Sequence, residues 1–509
     1  MEYVPMSQVT AESAAPPARK PGAPADGASS GRRWWILAMI GLAQLMVVLD
    51  ATIVNIALPS AQADLGFSDG NRTWIVTAYS LAFGSLLLLG GRIADLFGRK
   101  PAFLVGVAGF AVASAIAGAA TNFEVLVTGR ALQGLFGALL APAALSLLTT
   151  TFTDARERAK AFGIFGAIAG SGAAVGLLLG GVLTEYLNWR WTLYVNLFIA
   201  AAAIVGGWLL LQNTERERGA KLDVPGTVLV TAGLFGIVYG FSNAESHDWS
   251  SPLSWGFLAA GAVLLAVFAW WQTRAAHPLL PLRVLLDRDR GASFVSMLVA
   301  SAGMFGVFLF LTYYLQLTLG FSAIQTGLAF LPMVATLMLS ATLSTTFILS
   351  FVGPKIVVPV GMALAAGGMF WLTALGLDSS YAANVLPPLL VSGLGIGLIM
   401  APAMSLATSG VATEDAGVAG ASVNTMQQIG GSIGTPLLNT LAASAATSYL
   451  VGRNPADKLV QAQASMESYS TSFLWSAAFF AAGGLIAALL YRPGVPAAAD
   501  PDAAPTVHM

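Results

Sequence analysis

Long unbroken apolar runs dominate this chain. Runs that suffice to cross a hydrocarbon core of about 30 Å, at about 1.5 Å per helical residue, lie near 34–58, 75–91, 102–120, 124–150, 161–183, 190–211 and 225–243. Seven more lie near 255–272, 291–318, 323–350, 355–376, 384–409, 419–447 and 472–491. Each predicts a membrane-spanning helix, so the expected fold class is an all-α integral membrane protein of fourteen transmembrane helices.

The polar connections between runs test that count, because a missed helix would scramble the loop charges after it. With the N-terminus set inside, only Arg72, Arg190, Arg453 and Lys458 fall outside. The other basic residues between the runs, from Arg19 to Arg492, fall inside, which predicts cytoplasmic termini. The bias thins after the tenth run, where Lys355 is the one basic residue in two inside loops. Arg32 and Arg33 before an apolar run, with Ala61, Gln62 and Ala63 after it, imitate a secretion signal, but the run is too long and too many follow.

The runs fall into blocks. Residues 1–31, rich in Ala, Pro, Gly and Ser, read as a disordered cytoplasmic tail. Six helices follow over 32–211, then an inserted pair (about 225–243 and 255–272) within 212–290, six more over 291–491, and a short tail over 492–509. Two six-helix halves with a site between them are the architecture of secondary carriers.

Composition narrows the chemistry. The 509 residues are 56% apolar and 10% charged, against roughly 25% charged in soluble domains. A net charge of −1 gives no reason to expect nucleic acid. The chain has no cysteine, and its histidines, His247, His277 and His508, lie off the runs, so no metal or cofactor is expected. Without an intramembrane His or Cys an enzyme lacks its usual nucleophile and base. No loop is long enough to be a sensor domain, and no phosphate-binding GxxxxGK[ST] occurs, so energy would come from an ion gradient.

Asp50 stands inside the first run, where a carboxylate costs about 2.5–3.5 kcal/mol. Counting helical rise, it lies about 14 Å from the outer end at Pro59, and Arg130 lies about 9 Å from the outer end near Glu124. The two are expected to meet, directly or through water. Burial disfavours the charge on Asp50 and the guanidinium favours it, a balance that lets a carboxylate load and release a proton. A static ion pair locking two helices is the competing reading.

Between the second and third runs stands GGRIADLFGRKP, with Gly90 and Gly91 ending a helix, Asp95 in mid-loop, then Gly98, Arg99 and Lys100. It resembles the cytoplasmic loop signature of the major facilitator superfamily, which implies a gate latched by Gly91, Asp95, Gly98, Arg99 and Lys100. A degenerate second copy is Gly353, Pro354 and Lys355. GRALQGLFG around Arg130 resembles the family's fourth-helix proton-transfer motif, and residues 49–59 resemble the first-helix motif of its fourteen-helix drug:proton antiporters. Gly163, Gly172, Gly176, Gly180 and Gly181 match the antiporter glycine motif, although Leu177 stands where that motif has proline. NWRWTLYVN (Asn188 to Asn196), YYLQ (Tyr313 to Gln316) and GLAFLP (Gly327 to Pro332) resemble the same subfamily, with Phe198 at a position that is commonly proline.

The resemblance implies the major facilitator fold and proton-coupled export of small amphipathic compounds, such as drugs, antibiotics or secondary metabolites, by a monomer in the bacterial inner membrane. A nutrient importer on the same fold is the alternative. Polar or soft side chains on the helices offer substrate contacts: Asn55, Gln133, Tyr313, Tyr314, Gln316, Met400, Met404, Asn424, Gln427 and Gln428. Asp50 is the one acidic side chain well inside the membrane, so multiply cationic substrates are not expected. Trp34, Trp35, Trp270 and Trp271 near run ends read as interface anchors.

Overall fold

The computed structural model describes residues 28–152, 155–212, 223–247, 251–275, 278–280, 285–408 and 416–494. The expected tail up to residue 27, the terminal residues from 495, His277 and His508 lie outside the described residues. Among those described, fourteen long helices follow one another and no strand occurs. They are α1 (Ala28–Leu65), α2 (Asp69–Phe97), α3 (Arg99–Gly118), α4 (Phe123–Thr151), α5 (Ala155–Tyr186), α6 (Trp191–Leu210), α7 (Val224–His247) and α8 (Pro252–Gln272). Then come α9 (Arg288–Tyr313), α10 (Ala323–Leu343), α11 (Pro354–Leu372), α12 (Leu386–Thr408), α13 (Ala416–Leu450) and α14 (Lys458–Leu490). One-turn π segments continue α9 over Tyr314–Thr318 and α10 over Ser344–Ile348, and another precedes α12 over Tyr381–Val385.

Several helices outrun their apolar runs. α1 begins at Ala28, inside the expected tail, and α14 begins at Lys458, well before residue 472. Hydropathy marks the part that meets hydrocarbon, whereas good helix formers carry the backbone ladder on into water. By length and composition, eleven helices of the described residues suit a membrane crossing, and α2 and α5 contribute shorter apolar stretches, Trp74–Leu87 and Val175–Tyr186. Helices α5 and α10 form one seam between the two halves, and α2 and α13 form the other.

Helices α1 to α6 pack as one bundle, chiefly α2 and α3 on α4 and α1 on α5 and α6. Helices α9 to α14 pack as a second, chiefly α11 and α10 on α12, α11 on α14 and α9 on α13. The bundles repeat two devices. Gly98 alone joins α2 to α3, with φ 100°, and Gly353 alone joins the end of the α10 rod to α11, with φ 77°. Both sit in the left-handed region that favours glycine. Gly98 thus corrects the expected loop: α2 runs on to Phe97, Gly90 and Gly91 lie within the helix, and Asp95 is helical rather than mid-loop. Gly90 is required by close packing, since a Cβ there would collide with the Ala138 carbonyl of α4. In the second device, Arg32 of α1 donates to the Leu210 carbonyl at the end of α6 (2.8 and 3.2 Å), and Lys100 to Leu211 (2.5 Å) and Trp208 (3.1 Å). Arg288 of α9 does the same for Leu489 (2.7 Å) and Leu490 (2.5 Å) of α14. Cations thereby satisfy the orphan carbonyls at two helix C-termini.

At the end away from the chain termini, here the distal end, one apolar core runs from α1, α6 and the turn before α6 (Ile53, Ala57, Leu193, Trp189) into the second bundle (Val307, Leu311, Phe330). Toward the terminal end the cores divide, one within α1 to α6 around Ile40, Phe103, Phe110 and Leu148, another around Phe294, Met297 and Ala403. The α5 and α10 backbones touch at the distal seam: a Cβ on Gly181 would collide with the Ala323 carbonyl, and one on Gly327 with that of Leu177.

Of the pair outside the two bundles, α7 lies against both α2 and α13, and α8 packs on α7. A buried carboxylate organises its terminal end. Asp223 accepts from Trp271 Nε1 (2.7 Å), Gln272 Nε2 (2.8 Å) and the Gly226 amide (3.0 Å). Gln272 Oε1 in turn accepts from the Leu280 amide (3.0 Å), and Arg92 of α2 donates to the Pro278 carbonyl (2.9 Å). Trp271 thus gives its indole N–H to this knot, and Trp270 is 55% exposed. Burial pushes the Asp223 carboxyl up, and the bonds from Trp271, Gly226 and Gln272 outweigh it, holding the carboxyl below its usual range.

Two outcomes follow from this packing. Asp223→Ala should cost about 2 kcal/mol, read as a lower thermal midpoint in detergent and faster hydrogen exchange at the Leu279 and Leu280 amides. Because the Asp223 carboxyl is held low, its contribution is intact at neutral pH and fades only as pH falls below about 4. Gly181→Val should part the distal seam, so that a lone cysteine at Val54 in this cysteine-free chain reacts several-fold faster with a membrane-impermeant maleimide.

Candidate functional site

In the first bundle four helices bring polar side chains to one buried point. Asp50 of α1, Ser114 of α3, Gln133 of α4 and Asn196 of α6 are fully buried, and Arg130 of α4 is 1% exposed. Arg130 and Gln133 sit one helical turn apart, so both reach the same neighbour. Arg130 NH1 donates to Asp50 Oδ2 (2.5 Å) and to Gln133 Oε1 (2.8 Å), while its Nε donates to the Ile75 carbonyl of α2 (3.1 Å). The Tyr79 ring lies 4.4 Å from Arg130 Cζ. Asp50 Oδ1 accepts from Gln133 Nε2 (2.9 Å) and Asn196 Nδ2 (2.7 Å), and both amides also donate to Ser114 Oγ (2.7 and 3.3 Å). Toward the distal end this cluster is roofed by Val54, Ala57, Leu58, Ile75, Leu126 and Leu193.

The expected meeting of Asp50 and Arg130 is thus direct, with no bridging water needed. A buried pair is costly to break, because the remaining charge is left in an apolar surround. Gln133, expected at the substrate, belongs to this cluster instead. Asn196 had no assigned role, yet an amide inside an apolar run carries the same signal as Asp50 and marks it. Ser114 carries none, being a small residue common at any helix contact.

The remaining candidates separate. Tyr313, Tyr314 and Gln316 work at the distal closure: Arg72 of α2 stacks over the Tyr313 ring at 4.0 Å, Gln316 Nε2 donates to the Ile56 carbonyl of α1 (3.2 Å), and Tyr314 Oη donates to Gly376 O (2.9 Å). Beside them Glu185 of α5 accepts from the Ile324 amide at the start of α10 (3.1 Å). Asn55 is buried with its Oδ1 unpartnered. Met400 packs at the second bundle's divided core, Met404 is exposed, and Asn424, Gln427 and Gln428 are half-buried on α13.

In the gate signature Lys100 caps α6, as described, and the Asp95 side chain lies outside the described residues, so the latch itself is not drawn. The glycines of α5 form its seam with α1. A Cβ on Gly172 would press on Val48, on Gly176 collide with Thr52 Oγ1, and on Gly180 meet Ile53. Gly181 faces α10, and the Gly163 position lies outside the described residues apart from its helical backbone. α5 is one helix to Tyr186, with Leu177 fully buried at the crossing with Gly327, and Phe198 points outward, 66% exposed. The NWRW stretch fastens the distal end: Trp189 Nε1 (3.0 Å) and Arg190 NH1 (2.5 Å) donate to Asp64 of α1, and Arg190 NH2 to the Ala120 carbonyl (2.9 Å). Among the described residues no cluster of His, Cys, Asp and Glu is placed to hold a metal.

The geometry predicts strong coupling between the two charges. Arg130→Met should destabilise by about 3–5 kcal/mol, and adding Asp50→Asn should restore most of the loss, measured as a double-mutant cycle on thermal unfolding in detergent.

Residues 40–435 match the model of the Major Facilitator Superfamily. The chain is 50% identical over 429 residues to the puromycin resistance protein pur8 of Streptomyces alboniger, covering 84% of this chain and 85% of that one. It is 38% identical to the cephamycin export protein CmcT of Amycolatopsis lactamdurans (79% and 83% covered) and 36% identical to the tetracenomycin C resistance and export protein of Streptomyces glaucescens (81% and 77%). In fold it is similar to an auto-inhibited POT family peptide transporter, with a TM-score of 0.65 at 17% identity over 92% of this chain and 98% of that one. A bacterial homolog of the human lysosomal transporter Spinster, inward-facing and unoccupied, gives 0.62 at 18% over 90% and 97%. The chain therefore belongs to the major facilitator superfamily, among its multidrug and antibiotic efflux transporters, and is a carrier rather than an enzyme.

Proposed function

We propose that this protein is a monomeric proton-coupled exporter of small amphipathic compounds across the bacterial inner membrane, with both termini in the cytoplasm. The observation that carries the coupling is the fully buried Asp50, held by Arg130 beneath an apolar roof. Protonating Asp50 removes half of that ion pair, and the helices it ties together, α1, α3, α4 and α6, then lose their shared partner. The glycine seam between α1 and α5 lets the bundle adjust without side chains to unlock. With the termini cytoplasmic, the joined distal cores and divided terminal cores describe a carrier closed to the outside, and the bonds of Arg72, Gln316 and Glu185 are the closure that must part for release. One proton crossing 100 mV supplies about 2.3 kcal/mol, enough for roughly a fifty-fold gradient of a neutral solute.

Puromycin is the first compound to test, because the relative of 50% identity is named for resistance to it. With Asp50 the one acidic side chain read as lying well inside the membrane, the site suits neutral, anionic or singly cationic compounds better than multiply charged cations. In cells expressing the protein, efflux of puromycin and of a panel of dyes and antibiotics should be abolished by a protonophore and by Asp50→Asn. Efflux that survives both treatments would remove Asp50 from the mechanism, and protonophore-sensitive accumulation would turn the reading to import.

A further inference from the structure

Asn196 has half of its amide in use and half idle. Its Nδ2 donates to Asp50 Oδ1 and Ser114 Oγ, while its Oδ1 is buried without a partner. The amide orientation follows from the network, since the reverse would set two acceptor oxygens against each other. Gln133 keeps no such reserve: its Oε1 accepts from Arg130, and its Nε2 is shared between Asp50 and Ser114.

An ionised carboxylate only accepts hydrogen bonds, whereas a protonated one carries an O–H that needs an acceptor. Each partner drawn to Asp50 in this arrangement is a donor: Arg130 on Oδ2, Gln133 and Asn196 on Oδ1. Such a site supplies donors to the carboxylate and no acceptor to the acid. A half-turn of the Asn196 amide about its last torsion exchanges Nδ2 for Oδ1, turning a donor into an acceptor with no helix movement. We propose that Asn196 is a positioning residue that follows the protonation state of Asp50, donating to the carboxylate and accepting from the acid, and so makes proton exchange reversible in a site otherwise built of donors. This rests on Asp50 being the coupling carboxylate.

The surroundings leave few competitors for that role. Arg130 on α4 is the charged group facing Asp50, and the Tyr79 phenol on α2, whose ring stacks on Arg130, is the other titratable one. α3 and α6 present Ser114 and Asn196, which are uncharged. The residues of α5 packed on α1, Gly172, Gly176 and Gly180, carry no charge, and between Gly291 and Phe351 neither α9 nor α10 has a charged residue.

The test is an infrared pH titration of the full-length protein in lipid bilayers, with the Asp50→Asn spectrum subtracted to isolate the Asp50 carboxylic-acid stretch. Wild type should show a titrating band at the frequency of an acid that donates a hydrogen bond. Asn196→Leu should move the midpoint to higher pH by about one unit, because the lost bond to the carboxylate is charge-assisted and about twice as strong as the lost neutral one. Asn196→Thr, whose hydroxyl both donates and accepts, should recover most of that shift, which a merely structural role would not predict. An unchanged midpoint in Asn196→Leu overturns the inference. So does a free-acid frequency in wild type, a result that stands even where the Leu variant does not fold. A band that is absent from wild type at every pH sinks the coupling reading instead.

Discussion

A carboxylate in hydrocarbon is tolerated only where its charge is answered, and the first bundle is arranged around that requirement at Asp50. Arg130 supplies the opposite charge, and the lone pairs that one guanidinium leaves open are taken by Gln133 and Asn196. The partners come from α4 and α6, Ser114 of α3 orients both amides, and Arg130 is itself held by the Ile75 carbonyl of α2. One buried charge thus ties together most of a bundle whose helices, in lipid, gain nothing from the hydrophobic effect by associating.

The other features divide the molecule into parts that stay rigid and parts that can separate. Within each bundle, cations cap the last carbonyls of α6 and α14, and single glycines pin α2 to α3 and α10 to α11. Between bundles, contact at the distal end is made by the shared apolar core, by backbone meeting backbone at Gly181 and Gly327, and by the polar bonds of Arg72, Gln316 and Glu185. Strong ties inside and modest ties across are what rigid-body rocking requires. Helices α7 and α8 join this scheme through α7, which packs on α2 and α13, and through the Asp223 knot, whose connection reaches Arg92 of α2.

Much of this was written in the chain. Fourteen apolar runs are legible because lipid imposes length and hydropathy on each helix separately, with no need of partners. Asp50 and Arg130 are legible for the same reason in reverse, since a charge in such a run is anomalous by itself. Their shared depth followed from helical rise alone. The helix ends were less legible, as the extensions of α1 and α14 and the one-residue link at Gly98 show, because hydropathy is silent once the helix leaves the hydrocarbon.

What only the tertiary structure decided is which polar groups share a site. Gln133 and Tyr313 read alike along the chain, as polar side chains on helices, yet one completes the buried carboxylate's shell and the other lies beneath Arg72 at the distal closure. Ser114 and the idle oxygen of Asn196 acquire meaning solely from what stands beside them. The indole N–H of Trp271 is given to Asp223, nearly fifty residues away, a partner that no local pattern names. The sequence by itself determined the solvent, the helices and the two charges, since each is a property of one segment in a bilayer. Three-dimensional packing decided the pairing, because a hydrogen bond depends on where two segments meet.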